Sequence, residues 1–116
     1  MKRRFRLARS SDFQRVRRFG KTYAHPLIVL ITLSSPEEGV RIGIVAGRSV
    51  GKAVQRNRVK RQLRAAIQPY LSKISPGWDI VLIARNSIKQ ATYQQIQSGL
   101  LELLQMARLL NNLHDN

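Results

Sequence analysis

Residues 51–64 read GKAVQRNRVKRQLR, a stretch in which six Lys or Arg residues are threaded with apolar residues and no acid intervenes. At ~100° per residue, the pattern predicts a helix from about Gly51 to Tyr70 with an apolar stripe and a basic face. The stripe consists of Val59, Leu63, Ala66, Ile67 and Tyr70. The opposite arc consists of Asn57, Arg58, Lys60, Arg61, Arg64 and Gln68. Pro69 should kink or end the last turn, and Arg56, on the apolar side, should reach past the core edge into a groove beside a sheet.

Two further helices are predicted, one on each side of this segment. The first covers SDFQRVRRF at 11–19, with Ser10 or Ser11 as its cap and Gly20 at its end. The last helix begins at a capping box formed by Thr92 and Gln95. Its apolar residues have the spacing of a buried face: Ile96, Leu100, Leu103, Leu104 and Ala107.

Three strands are predicted from the apolar runs between the helices. Residues 22–33 contain LIVLITL and predict a strand buried on both faces or nearly so, with Pro26 marking a break or an edge at its start. VRIGIVA at 40–46 predicts a second strand, and the short SSPEEG turn makes the two strands expected antiparallel neighbours. SPGWDIVLIAR at 75–85 predicts a turn and a third strand opened by Trp78 and Asp79.

The order helix, strands, helix, strand, helix predicts a single α+β domain over residues 1–116, with helices packed on a sheet and frayed ends such as the tail at 111–116. The chain is long enough for one core and too short for two. Its lack of cysteine excludes disulfides and thiolate metal sites. The longest apolar run, at 27–33, is far shorter than the ~20 residues of a membrane span, so we expect an intracellular protein.

Charge is the strongest functional signal in the sequence. Twenty-one Lys and Arg residues against six acids give a net charge of +15. Residues 1–21 carry nine basic groups and one acid, and residues 39–78 carry nine basic groups and none. Such a field needs a counter-charge, and nucleic acid is favoured over an acidic protein or an anionic membrane.

Side-chain catalysis has little support in the sequence. His25 and His114 have no cysteine partner and few carboxylates to orient them, so His25 is interpreted as a polar surface residue and not a general base, and His114 as inert. The acids are scattered, and no spacing fits a metal site or a nucleophile with its base. The glycines of GIVAGRSVGKAV fail the P-loop pattern at Ala46 and Ala53, although backbone donors at 47–51 remain candidates for one phosphate oxygen.

RNA or DNA contact is the preferred interpretation of the basic helix. Like charges at i, i+3 and i, i+4 repel one another when no acid is interleaved, and Arg56, Asn57 and Arg58 supply donors in three directions. Phe13 and Phe19 are candidates for stacking on unpaired bases. For Phe13 core packing is an equal alternative, whereas Phe19 is expected to be exposed.

These residues resemble a known family. GKAVQRNRVKRQLR is similar to the signature of the bacterial ribonuclease P protein subunit, an RNR triplet followed by a basic amphipathic helix, and the likeness extends to RLARSSDFQRVRRFG, LIVLITL, RIGIVAG and WDIVLIAR. The resemblance implies a mixed sheet of about four strands, like that of the second domain of ribosomal protein S5. It also implies a left-handed crossover through the RNR helix.

The resemblance further implies a division of labour between protein and RNA. The RNA subunit, with Mg²⁺ bound mainly by RNA, hydrolyses the bond between the 5′ leader and precursor tRNA, and the protein carries no catalytic or metal-binding residue. Cytoplasmic localisation is expected, with no membrane or DNA partner. Residues implied to bind the RNA subunit are Lys52, Arg56, Asn57, Arg58, Lys60, Arg61 and Arg64. Residues implied to line the leader cleft are Phe13, Arg17, Phe19 and Arg48.

Three positions depart from the family pattern. Arg17 stands where a second aromatic residue is common, Ile31 replaces a cleft aromatic of the long strand, and Gly47-Arg48-Ser49 replaces the usual Ser-Lys-Lys. Stacking on the leader is therefore expected to be weaker here, with charge and backbone contacts contributing more.

Three alternatives stay open on the residues alone. A ribosomal or other structural RNA-binding protein fits the charge and size equally well. A DNA-binding regulator is disfavoured because a strand, not a second helix, follows the basic helix. A membrane-surface helix is disfavoured because residues 51–70 contain no large aromatic residue except Tyr70.

Overall fold

Eleven short elements follow one another in the computed structural model, which describes residues 1–111. The three main helices are α1 (Ser10–Phe19), α2 (Ala53–Ile67) and α3 (Tyr93–Met106). The four strands are β1 (Lys21–Ala24), β2 (Ile28–Ser34), β3 (Val40–Ala46) and β4 (Trp78–Ala84). Short 3-10 helices cover Arg3–Phe5, Arg48–Val50, Gln68–Tyr70 and Asn86–Gln90. The predicted fraying of the tail and the inert His114 lie, from residue 112 on, outside the described residues.

The strand predicted over 22–33 is a hairpin of two strands, which corrects the sequence-based prediction. β1 and β2 pair antiparallel, with Lys21 opposite Thr32 and Ala24 opposite Val29. Pro26 lies in the turn between them, and the His25 N–H donates to the Ile28 carbonyl at 2.9 Å. The expected break at Pro26 is therefore confirmed, because proline cannot donate to a sheet ladder.

The strand order is β1-β2-β4-β3, so the prediction that β2 and β3 are neighbours is wrong. β4 lies between them, antiparallel to β2 and parallel to β3. β4 takes the position between β2 and β3 because its residues are apolar on both faces of the sheet. Ile80, Val81 and Leu82 are all fully buried. A strand that is apolar on both faces takes the middle of a sheet.

The crossover from β3 through α2 to β4 is left-handed. Ile42 points its side chain into the core beneath α2, while its carbonyl accepts from the Leu7 N–H at 2.9 Å on the side away from β4. In an ascending strand of L-residues, a residue whose side chain faces the viewer directs its N–H and C=O to the right. Seen from α2, β4 therefore lies to the left of β3, which is the rarer hand for such a connection.

Helices α2 and α3 cover one face of the sheet, and both largely follow the prediction. In α2, Val59, Leu63, Ala66 and Ile67 are buried and Tyr70 is half-buried. The helix ends at Ile67 and passes into a 3-10 turn that contains Pro69. In α3, the Thr92–Gln95 capping box is confirmed, and the predicted apolar residues are buried except Ala107, which is half-buried.

Helix α1 crosses the other face of the sheet. Gly20 ends it as predicted, but Arg9 is its N-cap residue and makes no side-chain capping bond, so the predicted serine cap is wrong. Beneath α1 lies a row of residues in register across three strands, Gly43, Val81 and Ile31. Val16 of α1 is buried against this row.

Asp79 is the buried charge that fixes α1 to the sheet. Its side chain is 1% exposed and receives hydrogen bonds from Arg41 at 2.9 and 2.8 Å and from Nη2 of Arg15. Burial raises the pKa of this carboxyl, but the hydrogen bonds from the two guanidiniums outweigh burial and hold the pKa below its ordinary value. The charge count over residues 1–21 and 39–78 includes Arg15 and Arg41 among the cations available to a polyanion, whereas the structure pairs both with Asp79.

Asp79→Asn is expected to lower the free energy of unfolding by about 2–4 kcal/mol at pH 7, because two partly buried guanidiniums lose their counter-charge. The depressed folded-state pKa means that the stabilisation is complete above the unfolded pKa of ~3.9 and is lost as pH falls through the lower folded value. Urea unfolding between pH 7 and pH 3 measures both effects. The exposed Glu38→Gln is the control, and equal losses in the two variants would contradict a special role for Asp79.

Candidate nucleic-acid interface

The predicted RNA-binding residues extend along α2 from its N-cap, Lys52, to Arg64. Lys52, Asn57, Arg58 and Arg61 are exposed, and Arg56, Lys60 and Arg64 are half-buried. Half-burial of Arg56 agrees with its predicted place at the edge of the core. Within residues 1–111, every ion pair between an arginine or lysine and a carboxylate uses Arg15 or Arg41 as its cation. The cations of α2 thus form no ion pair in this part of the chain.

The start of α2 is held by one glycine and one glutamine. Gly51 has φ of 142°, a backbone conformation that favours glycine. The Lys52 N–H donates to Oε1 of Gln55 at 2.9 Å, and a Cβ at Gly51 would lie 1.9 Å from that oxygen. This geometry fixes the start of α2 and therefore the position of the RNR triplet, residues 56–58, within the helix.

The backbone donors predicted at 47–51 are partly occupied. The Val50 N–H donates to the Gly47 carbonyl and the Gly51 N–H to the Arg48 carbonyl, each at 3.1 Å. Together with the Lys52 N–H bonded to Gln55, these bonds leave fewer amides for a phosphate than the sequence suggested.

On the opposite face of the sheet, a second row of apolar side chains lies beside α1. Val29, Ile83 and Val45 are in register across β2, β4 and β3, and each is half-buried. Phe13 of α1 borders this row and rests on the sheet at Gly43, where a Cβ would lie 2.5 Å from the ring. The Val29–Ile83–Val45 row and Phe13 thus form an apolar groove, in which the row is the floor and Phe13 is the one aromatic wall.

The two flanks of α1 face different ends of the sheet. Asp12, Arg15 and Phe19 share one flank, which the Arg15–Asp79 pair directs toward the start of β4. Phe13 and Arg17 share the other flank, which faces the Val29–Ile83–Val45 row. The structure therefore brings Phe13 and Arg17 together and leaves Phe19, 66% exposed, on the far flank.

Two further cations border this region. Arg48 is exposed and lies just beyond the end of β3, at the same end of the sheet as Val45. A cavity of about 250 Å³ at the outer edge of β3 is lined by Phe13, Arg6 and Arg64, among others. Arg6 was not singled out from the sequence; its place follows from a parallel bridge between Arg6 and Ile42 that a short basic segment does not reveal.

His25 has a structural environment. Its Nδ1 accepts from the Leu27 N–H at 3.1 Å, its Nε2 lies 3.6 Å from Oε2 of Glu102, and its ring packs against Gly99 of α3. The side chain is half-buried because the hairpin turn docks on α3, and its interpretation as a polar surface residue stays a prediction. Among the described residues, no group of three His, Cys, Asp or Glu side chains is placed to hold a metal ion. Over the same residues, no helix is long and apolar enough to cross a membrane.

Comparisons with known proteins agree with this geometry. The family model described as Ribonuclease P matches residues 1–108. A ribonuclease P protein component from Herpetosiphon aurantiacus is 45% identical over 94% of this chain and 89% of its own length. One from Listeria innocua is 32% identical over 100% of this chain and 98% of its own.

Two solved structures of ribonuclease P proteins are also similar to this chain. The ribonuclease P protein of Staphylococcus aureus superimposes with a TM-score of 0.86 at 33% identity, covering 92% of this chain and 98% of that one. The Thermotoga maritima protein superimposes with a TM-score of 0.79 at 30% identity, covering 87% and 96%. The cationic helix α2 and the apolar groove described above lie on one α+β domain. By these similarities of sequence and structure, the chain belongs to the ribonuclease P protein family.

Proposed function

We propose that this chain is the RNA-binding subunit of a cytoplasmic ribonuclease P ribonucleoprotein, in which the RNA subunit removes the 5′ leader from precursor tRNA. The protein binds the leader and raises the affinity of the complex for substrate and magnesium. The observation that carries the proposal is the acid-free cationic face of α2 together with an apolar groove on the opposite face of the sheet. Neither surface has a covering partner within the described residues.

The α2 face is the surface for the RNA subunit. Arginine forks suit phosphate oxygens in pairs, and Arg58 and Arg61 stand exposed one turn apart with Asn57 beside them. Binding through phosphates releases counterions, so about 6–10 contacts would cost ~10³–10⁵ in affinity between roughly 50 and 200 mM salt. The partner surface is therefore electrostatic and strongly dependent on ionic strength.

The groove beside α1 is the surface for the leader. Unpaired bases stack on Phe13 and contact the apolar row Val29–Ile83–Val45, while Arg17 and Arg48 meet phosphates at the rim. With one aromatic wall, the groove relies more on its cations than the usual family pattern does. Phe19, which lies on the other flank of α1, stays a prediction as a leader contact.

Magnesium belongs with the RNA in this proposal. The donor set of residues 1–111 does not fit a metal site, and the buried carboxylate of Asp79 is occupied by two guanidiniums. The contribution of the protein is cationic: its free Lys and Arg side chains lower the repulsion between two RNAs at their junction.

Leader release from a precursor tRNA at low-millimolar magnesium tests the proposal directly. Three samples are compared: this protein alone, a bacterial ribonuclease P RNA alone, and the two mixed. Strong cleavage is expected only in the mixture, because the chemistry resides in the RNA and the protein supplies charge and leader contacts. Cleavage by the protein alone, or intact RNA binding without any gain on mixing, would contradict the proposal; the latter result would indicate a purely structural RNA-binding protein.

Arg58→Ala and Arg61→Ala are each expected to weaken binding of the RNA subunit and to reduce the slope of log affinity against log salt by about 1. Both side chains are exposed, so the free energy of unfolding should change by less than ~0.5 kcal/mol. Filter binding at several salt concentrations and thermal unfolding measure the two quantities. Lys73→Ala, an exposed residue beyond α2, controls for net charge, and a salt response that is flat in the unmodified protein would rule out phosphate contacts as the main source of binding.

Phe13→Leu is expected to lower the affinity of the assembled complex for precursor tRNA by about 5–10-fold, because one base loses its stacking partner. Affinity for the same tRNA without a leader should not change. Phe19→Leu is the matched comparison on the other flank of α1 and is expected to have little effect. Equal losses in both variants would place the leader across α1 and not along the Val29–Ile83–Val45 row.

A further inference from the structure

A narrow groove of about 60 Å³ separates α2 from the Asn86–Gln90 helix. Ile88 is 1% exposed and anchors that short helix to the core, which leaves its neighbour Lys89 exposed on the rim. Arg58 of the RNR triplet lines the opposite rim. The remaining lining residues are Gln55, Val59, Gln62, Ile88 and Ala91.

Gln55 lines this groove and has one amide donor to offer it. Its Oε1 accepts from the Lys52 N–H at 2.9 Å, so the oxygen is committed to the start of α2. The group that remains is the amide NH₂, which only donates. The groove therefore offers a guanidinium, an ammonium and an amide donor.

No acid balances these groups. The lining residues include no Asp or Glu, and within residues 1–111 neither Arg58 nor Lys89 takes part in an ion pair. Two cations held at one groove repel each other unless an anion lies between them. A phosphate oxygen accepts from all three donor types.

We propose that Lys89, Arg58 and the Gln55 amide form a binding site for one backbone phosphate of the RNA subunit. The proposal rests on the proposed function and extends it, because it carries the RNA surface beyond α2 onto the Asn86–Gln90 helix. The RNA subunit, and not the leader, is the source of the phosphate, since Arg58 belongs to the outer face of α2 and the leader groove lies on the other face of the sheet.

Gln55→Glu tests the amide with minimal change of shape. The variant keeps the oxygen that accepts from Lys52 and replaces the donor with a carboxylate oxygen. Binding of the RNA subunit at about 150 mM salt is expected to weaken at least ~10-fold. Gln95→Glu is the matched control, because Gln95 occupies the equivalent capping position of α3, accepting from the Thr92 N–H at 2.8 Å, and does not line this groove. Equal weakening in both variants would overturn the proposal, since it would reflect net charge alone.

Lys89→Ala tests the cation outside the RNR helix. Affinity for the RNA subunit should fall about 3–10-fold and the salt slope by about 1, whereas Lys73→Ala should change neither. Lys89→Arg, which keeps the positive charge, should bind the RNA subunit as tightly as the unmodified protein does. An unchanged salt slope in Lys89→Ala, with a steep slope in the unmodified protein, would overturn this site and leave the proposed function standing. A flat slope in the unmodified protein would overturn both.

Precursor tRNA affinity of the preassembled complex distinguishes the source of the phosphate. Lys89→Ala should leave that affinity within about 2-fold once the variant is saturated with the RNA subunit. A loss confined to precursor tRNA would assign the phosphate to the substrate and overturn the proposal as stated.

Discussion

The burial of β4 on both faces is the constraint on which the rest of this structure depends. Ile80, Val81 and Leu82 alternate across the sheet and each is inaccessible to solvent, so β4 needs a strand on each side and a helix layer above and below. β3 must therefore reach β4 by a crossover, and α2 is the connection. The cationic face of α2 is presented outward because its other face covers Leu82 and its neighbours.

The arginines of this protein divide into those that bind a carboxylate and stabilise the fold and those that form no ion pair in residues 1–111. Asp79 takes two arginines, one from α1 and one from β3, and so joins the helix that carries Phe13 to the sheet. The cations of α2, in contrast, form no ion pair within residues 1–111. The few acids of the sequence thus decide which arginines stabilise the fold, and their scarcity leaves the other arginines of residues 1–111 without an ion pair.

Sequence patterns predicted the helices of this protein better than its sheet. The 3.6-residue period of α2 and the Thr92–Gln95 box are local signals, and the structure confirms both. Strand order is set by contacts far apart in the chain, so the insertion of β4 between β2 and β3 had no local signal beyond its doubly apolar pattern. The same limit applies to the site: the RNR residues were visible as a run, whereas the Val29–Ile83–Val45 row and the place of Lys89 exist only after strands and helices have been assembled.

The contact between Phe13 and Gly43 links core packing to the shape of the groove. The ring approaches β3 so closely that it occupies the space of a side chain that glycine lacks. The distance between α1 and the sheet therefore depends on position 43 of β3 being glycine, which has only a hydrogen atom as its side chain. Any larger residue at position 43 would act as a spacer, lifting the aromatic wall away from its floor and widening the groove, without changing a charged group.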